Sequence, residues 1–184
     1  ACYDENHMER LSYNCRILAE AMQLSTNYGH LISDSYIETI ALAAPLSDLG
    51  NVAIPTDILQ KKESLLPEEL AVIQTHTTVG AKILQDIRNT GDYNDFLQMS
   101  IDIAHYHHEN WDGSGYPCGK KGEEIPLSAQ ILSVVSSYCA ITETRVYRHS
   151  YDIDAAFELM EADAGKKFNP DIFLILRKIR RQLH

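Results

Sequence analysis

Long apolar runs are missing from this sequence of 184 residues. The apolar runs 40–46 and 131–135 are far shorter than the roughly 20 residues that cross a bilayer, so no membrane span is predicted. Basic residues are also scarce, since 16 Lys and Arg stand against 26 Asp and Glu, for a formal net charge of −10. Because this charge repels polyanions, we expect no nucleic acid polymer as a partner, whereas a small phosphate ligand is compatible with it.

Cysteine is the next residue type in short supply. The four cysteines have no C-x-x-C spacing and are too few for a disulfide scaffold, which indicates a reducing, cytoplasmic setting. The chain begins at Ala1 and carries no charged-then-apolar signal segment. We therefore expect residues 1–184 to form one domain cut from a longer chain.

Apolar residues at helical spacing are abundant. No stretch alternates with the period of two that a strand requires, although residues 51–54 could form a short strand pairing. We therefore predict an all-α, single helical bundle domain of about seven helices. Ser35 and Glu38 match a capping box, Pro45 is expected to distort a helix end, and Pro67 and Pro170 occupy helix-opening positions. The predicted helices are 6–23, 35–44, 67–87, 96–108, one that follows Pro126 as far as Cys139, 152–164, and one that begins at Pro170. The third of these has a predicted inward stripe of Leu70, Ile73, His76, Gly80, Ile83 or Leu84, and Ile87.

Histidines on the predicted inner faces are the first functional signal. A lone inward histidine such as His76 is usually a core residue with one hydrogen bond. Four of them over three helices, joined by Asp48 at a kinked helix end, favour a metal site as much as a structural role, because imidazole and carboxylate suit Mn, Fe, Co, Ni or Zn. The four are His7, His76, His107 and His108.

Several motifs carry a resemblance to a known family. The segment 107–117, HHENWDGSGYP, is similar to the HHExxDGxGYP signature of the HD-GYP family, a branch of the HD phosphohydrolases. Segment 43–55 resembles the family's AAxLHDIGKxxIP element, 122–127 reads GEEIPL as in the family, and 142–148 resembles TSxRPYR. Phe168, Asn169 and Pro170 stand where the family has FDP.

The resemblance implies an HD-superfamily fold and a signalling domain that hydrolyses cyclic di-GMP with two divalent transition metals. One ion would use His7, position 47, Asp48 and position 136. The other would use Asp48, which bridges the two ions, together with His76, His107 and His108.

The resemblance also implies residues that contact the substrate. Arg145 and Arg148 match the family's RxxR and would bind phosphate, for which guanidinium is well shaped. Tyr116 would line the pocket. From the residues alone, exposed helix-end cations and a packed loop explain these three side chains equally well.

Departures from the family pattern change the expected chemistry. Ser47 replaces the histidine of the HD pair, and Ser136 replaces a later aspartate. A serine hydroxyl is a poor ligand for a divalent cation, so we predict at most one well-bound ion, at Asp48 and the three histidines that follow it. Further departures are Asn51 for the lysine of HDIGK, Gln130 for an arginine and Cys139 for a second aspartate.

Three functions are compatible with the sequence. The first is a degenerate HD-GYP signalling domain, impaired in catalysis, that binds a cyclic dinucleotide or a partner protein. The second is a metal-dependent cyclic di-GMP phosphodiesterase that works from one retained ion. The third is an interaction platform that binds neither metal nor nucleotide.

Overall fold

A computed structural model describes residues 5–89, 94–143 and 151–184. Within those ranges the chain is helical and contains no strand, only an isolated bridge between Ala164 and Phe168. The all-α prediction is therefore confirmed. The helices are α1 (Glu5–Gln23), α2 (Asp34–Ala43), α3 (Thr56–Leu59), α4 (Pro67–Gln74), α5 (His76–Asn89), α6 (Asp95–Tyr106), α7 (Leu127–Thr142), α8 (Ile153–Glu161) and α9 (Pro170–Lys178).

The predicted third helix is wrong as one element, because the chain breaks at Thr75 into α4 and α5. Around the break, side chains take carbonyls that a continuous helix would use: Thr75 Oγ1 donates to Val72 O at 2.6 Å and His76 Nδ1 to Ile73 O at 2.7 Å. The predicted inward stripe also fails at its two ends, where Leu70 is 46% exposed and Ile87 53% exposed.

The helix ends predicted from proline positions agree with the structure, whereas the predicted serine cap does not. Pro67 and Pro170 are the first residues of α4 and α9, and α2 ends at Ala43, just before Pro45. The predicted capping box at Ser35 is wrong, because Ser33 caps α2 by accepting a hydrogen bond from Tyr36 N at 3.1 Å.

Three other elements differ from the predictions. Helix α6 ends at Tyr106 rather than at residue 108, and residues 49–53 form a 3-10 segment rather than a paired strand. Helix α8 ends at Glu161, short of the predicted residue 164. None of the described helices is long and apolar enough to cross a membrane.

Two apolar clusters hold the helices together. The larger one joins α1, α2, α7, α8 and α9 through side chains such as Leu18, Ile40 and Phe157. The smaller one lies between α5 and α6 and includes Leu84 and Ile101. This packing sets the start of α5 beside the end of α6, where the candidate site lies.

A close contact between backbones seats the 3-10 segment 49–53 on α5. A Cβ atom at Gly50 would lie 1.9 Å from His76 O and 2.7 Å from Gly80 N, so only glycine fits there. The contact places Asp48, at the start of this segment, next to His76.

Candidate metal centre

Four side chains from three parts of the chain converge at one end of the bundle. Asp48 precedes the 3-10 segment 49–53, His76 opens α5, and His107 and His108 follow α6 directly. Each offers one ligand atom, and these atoms all lie within 4.8 Å of one another. The spacing suits a single ion held by three imidazoles and one carboxylate.

Backbone carbonyls orient two of the imidazoles. Since a carbonyl only accepts hydrogen bonds, the Nδ1–H of His76 donates to Ile73 O at 2.7 Å, and that of His107 donates to Ile103 O at 2.9 Å. Both rings therefore turn Nε2 towards Asp48, whose Oδ1 lies 3.3 Å from His76 Nε2 and 3.7 Å from His107 Nε2. Such carbonyl partners orient metal-binding histidines in proteins.

The electrostatics keep the carboxylate charged. Burial raises the pKa of Asp48, but hydrogen bonds from His107 and His76, with their charges, outweigh it and hold the pKa well below the usual range. Burial lowers the pKa of His76, but its hydrogen bonds with Asp48 and Ile73 O leave the pKa raised overall.

His108 has the opposite character. Burial, followed by the charges of His107 and His76, lowers the pKa of His108 to about 2. The ring is therefore neutral at physiological pH, as a metal ligand must be. The donor set as a whole fits a divalent transition metal, and Asp48, His76, His107 and His108 would hold it.

The loop after His108 covers one side of the cluster. Tyr116 stacks on the His108 ring with 4.8 Å between centroids, and Tyr116 N donates to His108 O at 3.1 Å. A Cβ atom at Gly115 would lie 2.4 Å from His108 O, which explains the glycine in this part of the motif. Contact of Tyr116 with a substrate stays a prediction.

Glu109 organises this loop, a role that the sequence reasoning missed. Its side chain is buried, and its two carboxylate oxygens accept hydrogen bonds from Cys118 N at 2.7 Å and Lys120 N at 2.9 Å. The available signal was an acidic residue directly after two inward histidines and before a turn-rich segment, since a carboxylate can satisfy the free amides of a tight loop.

His7 is buried but does not join the cluster. Its Nδ1 contacts Glu143 Oε1, an oxygen that also lies 3.3 Å from Arg10 Nη1. His7 and Asp48 line one cavity of about 300 Å³ together with Ser47 and Asn51. Its role as a ligand of another ion stays a prediction.

The other departures from the motifs lie in different surroundings. Ser47 is buried, and Ser136 Oγ donates to Ser133 O at 3.2 Å, within α7. The side chain of Gln130 contacts Asn169 rather than the cluster, since its Oε1 accepts a hydrogen bond from Asn169 Nδ2 at 2.9 Å. Arg145 and Arg148 lie outside the described residues.

Comparisons with known proteins agree with the motifs. The family model of the HD domain matches residues 5–172. A cyclic di-GMP phosphodiesterase from Thermotoga maritima is 35% identical over 177 residues, which cover 96% of this chain and 45% of that protein. The 3'3'-cGAMP-specific phosphodiesterase 2 from Vibrio cholerae is 33% identical over 170 residues, which cover 92% of this chain and 30% of that protein.

A solved structure shares the fold. A HDG"Y"P protein from Bdellovibrio bacteriovorus superposes with a TM-score of 0.65 at 22% identity, over 95% of this chain and 52% of that chain. The present chain spans less than half the length of the two curated relatives described above. The motifs and the match of the family model over nearly the whole sequence agree, and the chain belongs to the HD domain family, in its HD-GYP branch.

Proposed function

We propose that this chain is a degenerate HD-GYP signalling domain, cytoplasmic, that holds one divalent transition metal and binds a cyclic dinucleotide at it, with impaired hydrolysis. One observation carries the proposal. Asp48 and three histidines converge on a single point, whereas the two family ligand positions at Ser47 and Ser136 carry hydroxyls. Neutral hydroxyls bind divalent cations weakly, so a second ion has too few ligands.

The chain's own residues have distinct roles in this proposal. The carbonyls of Ile73 and Ile103 hold the Nε2 atoms of His76 and His107 towards Asp48. Tyr116, stacked on His108, would bound the space left for a ligand. A bound divalent ion would supply Lewis acidity to a phosphate oxygen and to a water molecule.

The relatives indicate the class of ligand. Their names specify cyclic di-GMP for the Thermotoga protein and 3'3'-cGAMP for the Vibrio protein, both cyclic dinucleotides. Arg145 and Arg148 would add phosphate contacts. Because such a domain turns over little substrate, it would signal by binding a partner protein when the cyclic dinucleotide is bound.

The alternative function is a working cyclic di-GMP phosphodiesterase with one ion. The complete set of ligands at Asp48, His76, His107 and His108 favours it, because one ion can still activate water. The two functions differ in turnover by the wild-type chain.

A paired assay separates them. Metal content is measured by elemental analysis, and cyclic di-GMP hydrolysis is measured for the wild type and for Ser47→His/Ser136→Asp after loading with Mn, Fe, Co, Ni or Zn. We expect about one ion per chain and little turnover in the wild type, and a second ion with increased turnover in the double variant. Fast hydrolysis by the wild type with two ions would overturn the proposal, and fast hydrolysis with one ion would establish the alternative.

A further inference from the structure

Lys167 has no assigned role, yet its charge acts on His108 of the candidate metal centre. Its side chain is half-buried, and Nζ donates to Ser137 Oγ at 2.9 Å, next to the ligand position that Ser136 occupies. The Lys167 carbonyl accepts a hydrogen bond from Trp111 N at 3.1 Å, so the same residue is attached to the loop that carries Tyr116.

The ammonium of Lys167 lacks a close counter-ion. Among residues 5–89, 94–143 and 151–184, no carboxylate forms an ion pair with it, and Asp163 acts on it only at longer range. Burial lowers the pKa of Lys167, and its charge adds to the effects of burial, His107 and His76 that lower the pKa of His108. The ammonium also lies 5.3 Å from the centroid of the Phe168 ring. A half-buried cation without a paired carboxylate is stabilised by an anion that binds beside it.

Charge balance points in the same direction. The chain has a net charge of −10, and Asn51 stands where the HDIGK element has a lysine. A local cation at this end of the bundle therefore adds to the attraction for an anionic ligand, and Lys167 supplies one that is hydrogen-bonded to Ser137 of α7.

We propose that the Lys167 ammonium binds a phosphate of the cyclic dinucleotide beside His108, in place of the cation lost at Asn51. The inference rests on the proposed function, whose ligand site it completes. The phosphate oxygen would accept a hydrogen bond from Nζ, which has three N–H donors and gives one to Ser137.

The adjacent Lys166 offers a matched control, since its side chain is exposed. The dissociation constant for cyclic di-GMP is measured by calorimetry on the Mn-loaded wild type, Lys167→Met, Lys167→Arg and Lys166→Met, with metal content and melting temperature recorded for each. We expect Lys167→Met to bind about tenfold more weakly, Lys166→Met to stay within about twofold of the wild type, and Lys167→Arg to retain most of the affinity. Metal content should be equal in all four.

The outcomes separate the two proposals. If the wild type binds cyclic di-GMP and Lys167→Met binds it equally well, the inference is wrong and the proposed function stands. If the wild type does not bind cyclic di-GMP, the proposed function fails, and the rate of acylation of each lysine by an amine-reactive reagent then decides the inference. Protection of Lys167 but not Lys166 by inorganic phosphate supports it, and equal rates with and without phosphate overturn it.

Discussion

The imidazoles of His76 and His107 meet with their Nε2 atoms 3.4 Å apart, although 31 residues separate them in the chain. Each ring is held there by an Nδ1–H bond to a carbonyl three or four residues earlier. Two ring nitrogens at this distance, beside the Asp48 carboxylate, form a set of donor atoms that suits a divalent cation.

The first prediction concerns the metal ligands. His107→Ala should reduce the bound metal to a small fraction of an equivalent, because one of four ligands is lost, whereas His105→Ala should leave it unchanged, since His105 is outside the cluster. Elemental analysis of the purified proteins measures this. Equal metal content in both variants would show that the ion binds elsewhere.

Removal of the metal should lower thermal stability. An ion that binds only the folded state at 100 times its dissociation constant stabilises the chain by about 2.7 kcal/mol. Treatment with a chelator should therefore lower the melting temperature of the wild type and have little effect on His107→Ala. An equal decrease in both proteins would contradict a metal held by this centre.

Replacing Glu109 by Gln should destabilise the loop that carries Tyr116. One carboxylate oxygen becomes an amide NH₂, which faces the N–H of Cys118 or Lys120 and leaves one of these part-buried donors without an acceptor. We expect the free energy of unfolding to fall by about 1–3 kcal/mol, measured by urea denaturation. Glu123→Gln, at an exposed position, should change it by less than about 0.5 kcal/mol.

Two glycine variants of different expected severity test the backbone contact that places Asp48 beside His76. In Gly50→Ala the new Cβ would lie 1.9 Å from His76 O, so the 3-10 segment must move away from α5, at a cost of about 3 kcal/mol. Gly80→Ala, with its nearest atom at 3.1 Å, should be milder. Only Gly50→Ala should also reduce metal content, and the reverse order would show that this contact is not what positions Asp48.

Gln130 and Asn169 should behave as a coupled pair. Asn169→Asp places a carboxylate oxygen against Gln130 Oε1, two acceptors that repel, and should destabilise the chain by about 1–3 kcal/mol. Adding Gln130→Arg supplies donors and should recover most of this loss. Urea unfolding of the four proteins gives the coupling energy, and strictly additive effects would show that the two departures from the family pattern are independent.

The sequence alone determined the helical architecture and the family, because apolar periodicity and ordered motifs lie in the order of residues along the chain and do not depend on tertiary contacts. Pro67 and Pro170 marked helix starts for the same reason, since proline acts on its own backbone. The split at Thr75 was not predictable from periodicity, because side-chain hydroxyls and an imidazole compete there with the helix for its carbonyls.

The geometry of the site depended on the tertiary structure. The motifs named Asp48, His76, His107 and His108, but only packing of α5 on α6, with Gly50 against His76, brings their ligand atoms within 4.8 Å. Packing also paired His7 with Glu143 and set Lys167 beside Ser137. Such contacts join residues that are far apart in the sequence, and their distances follow from how the helices fit together rather than from any local pattern.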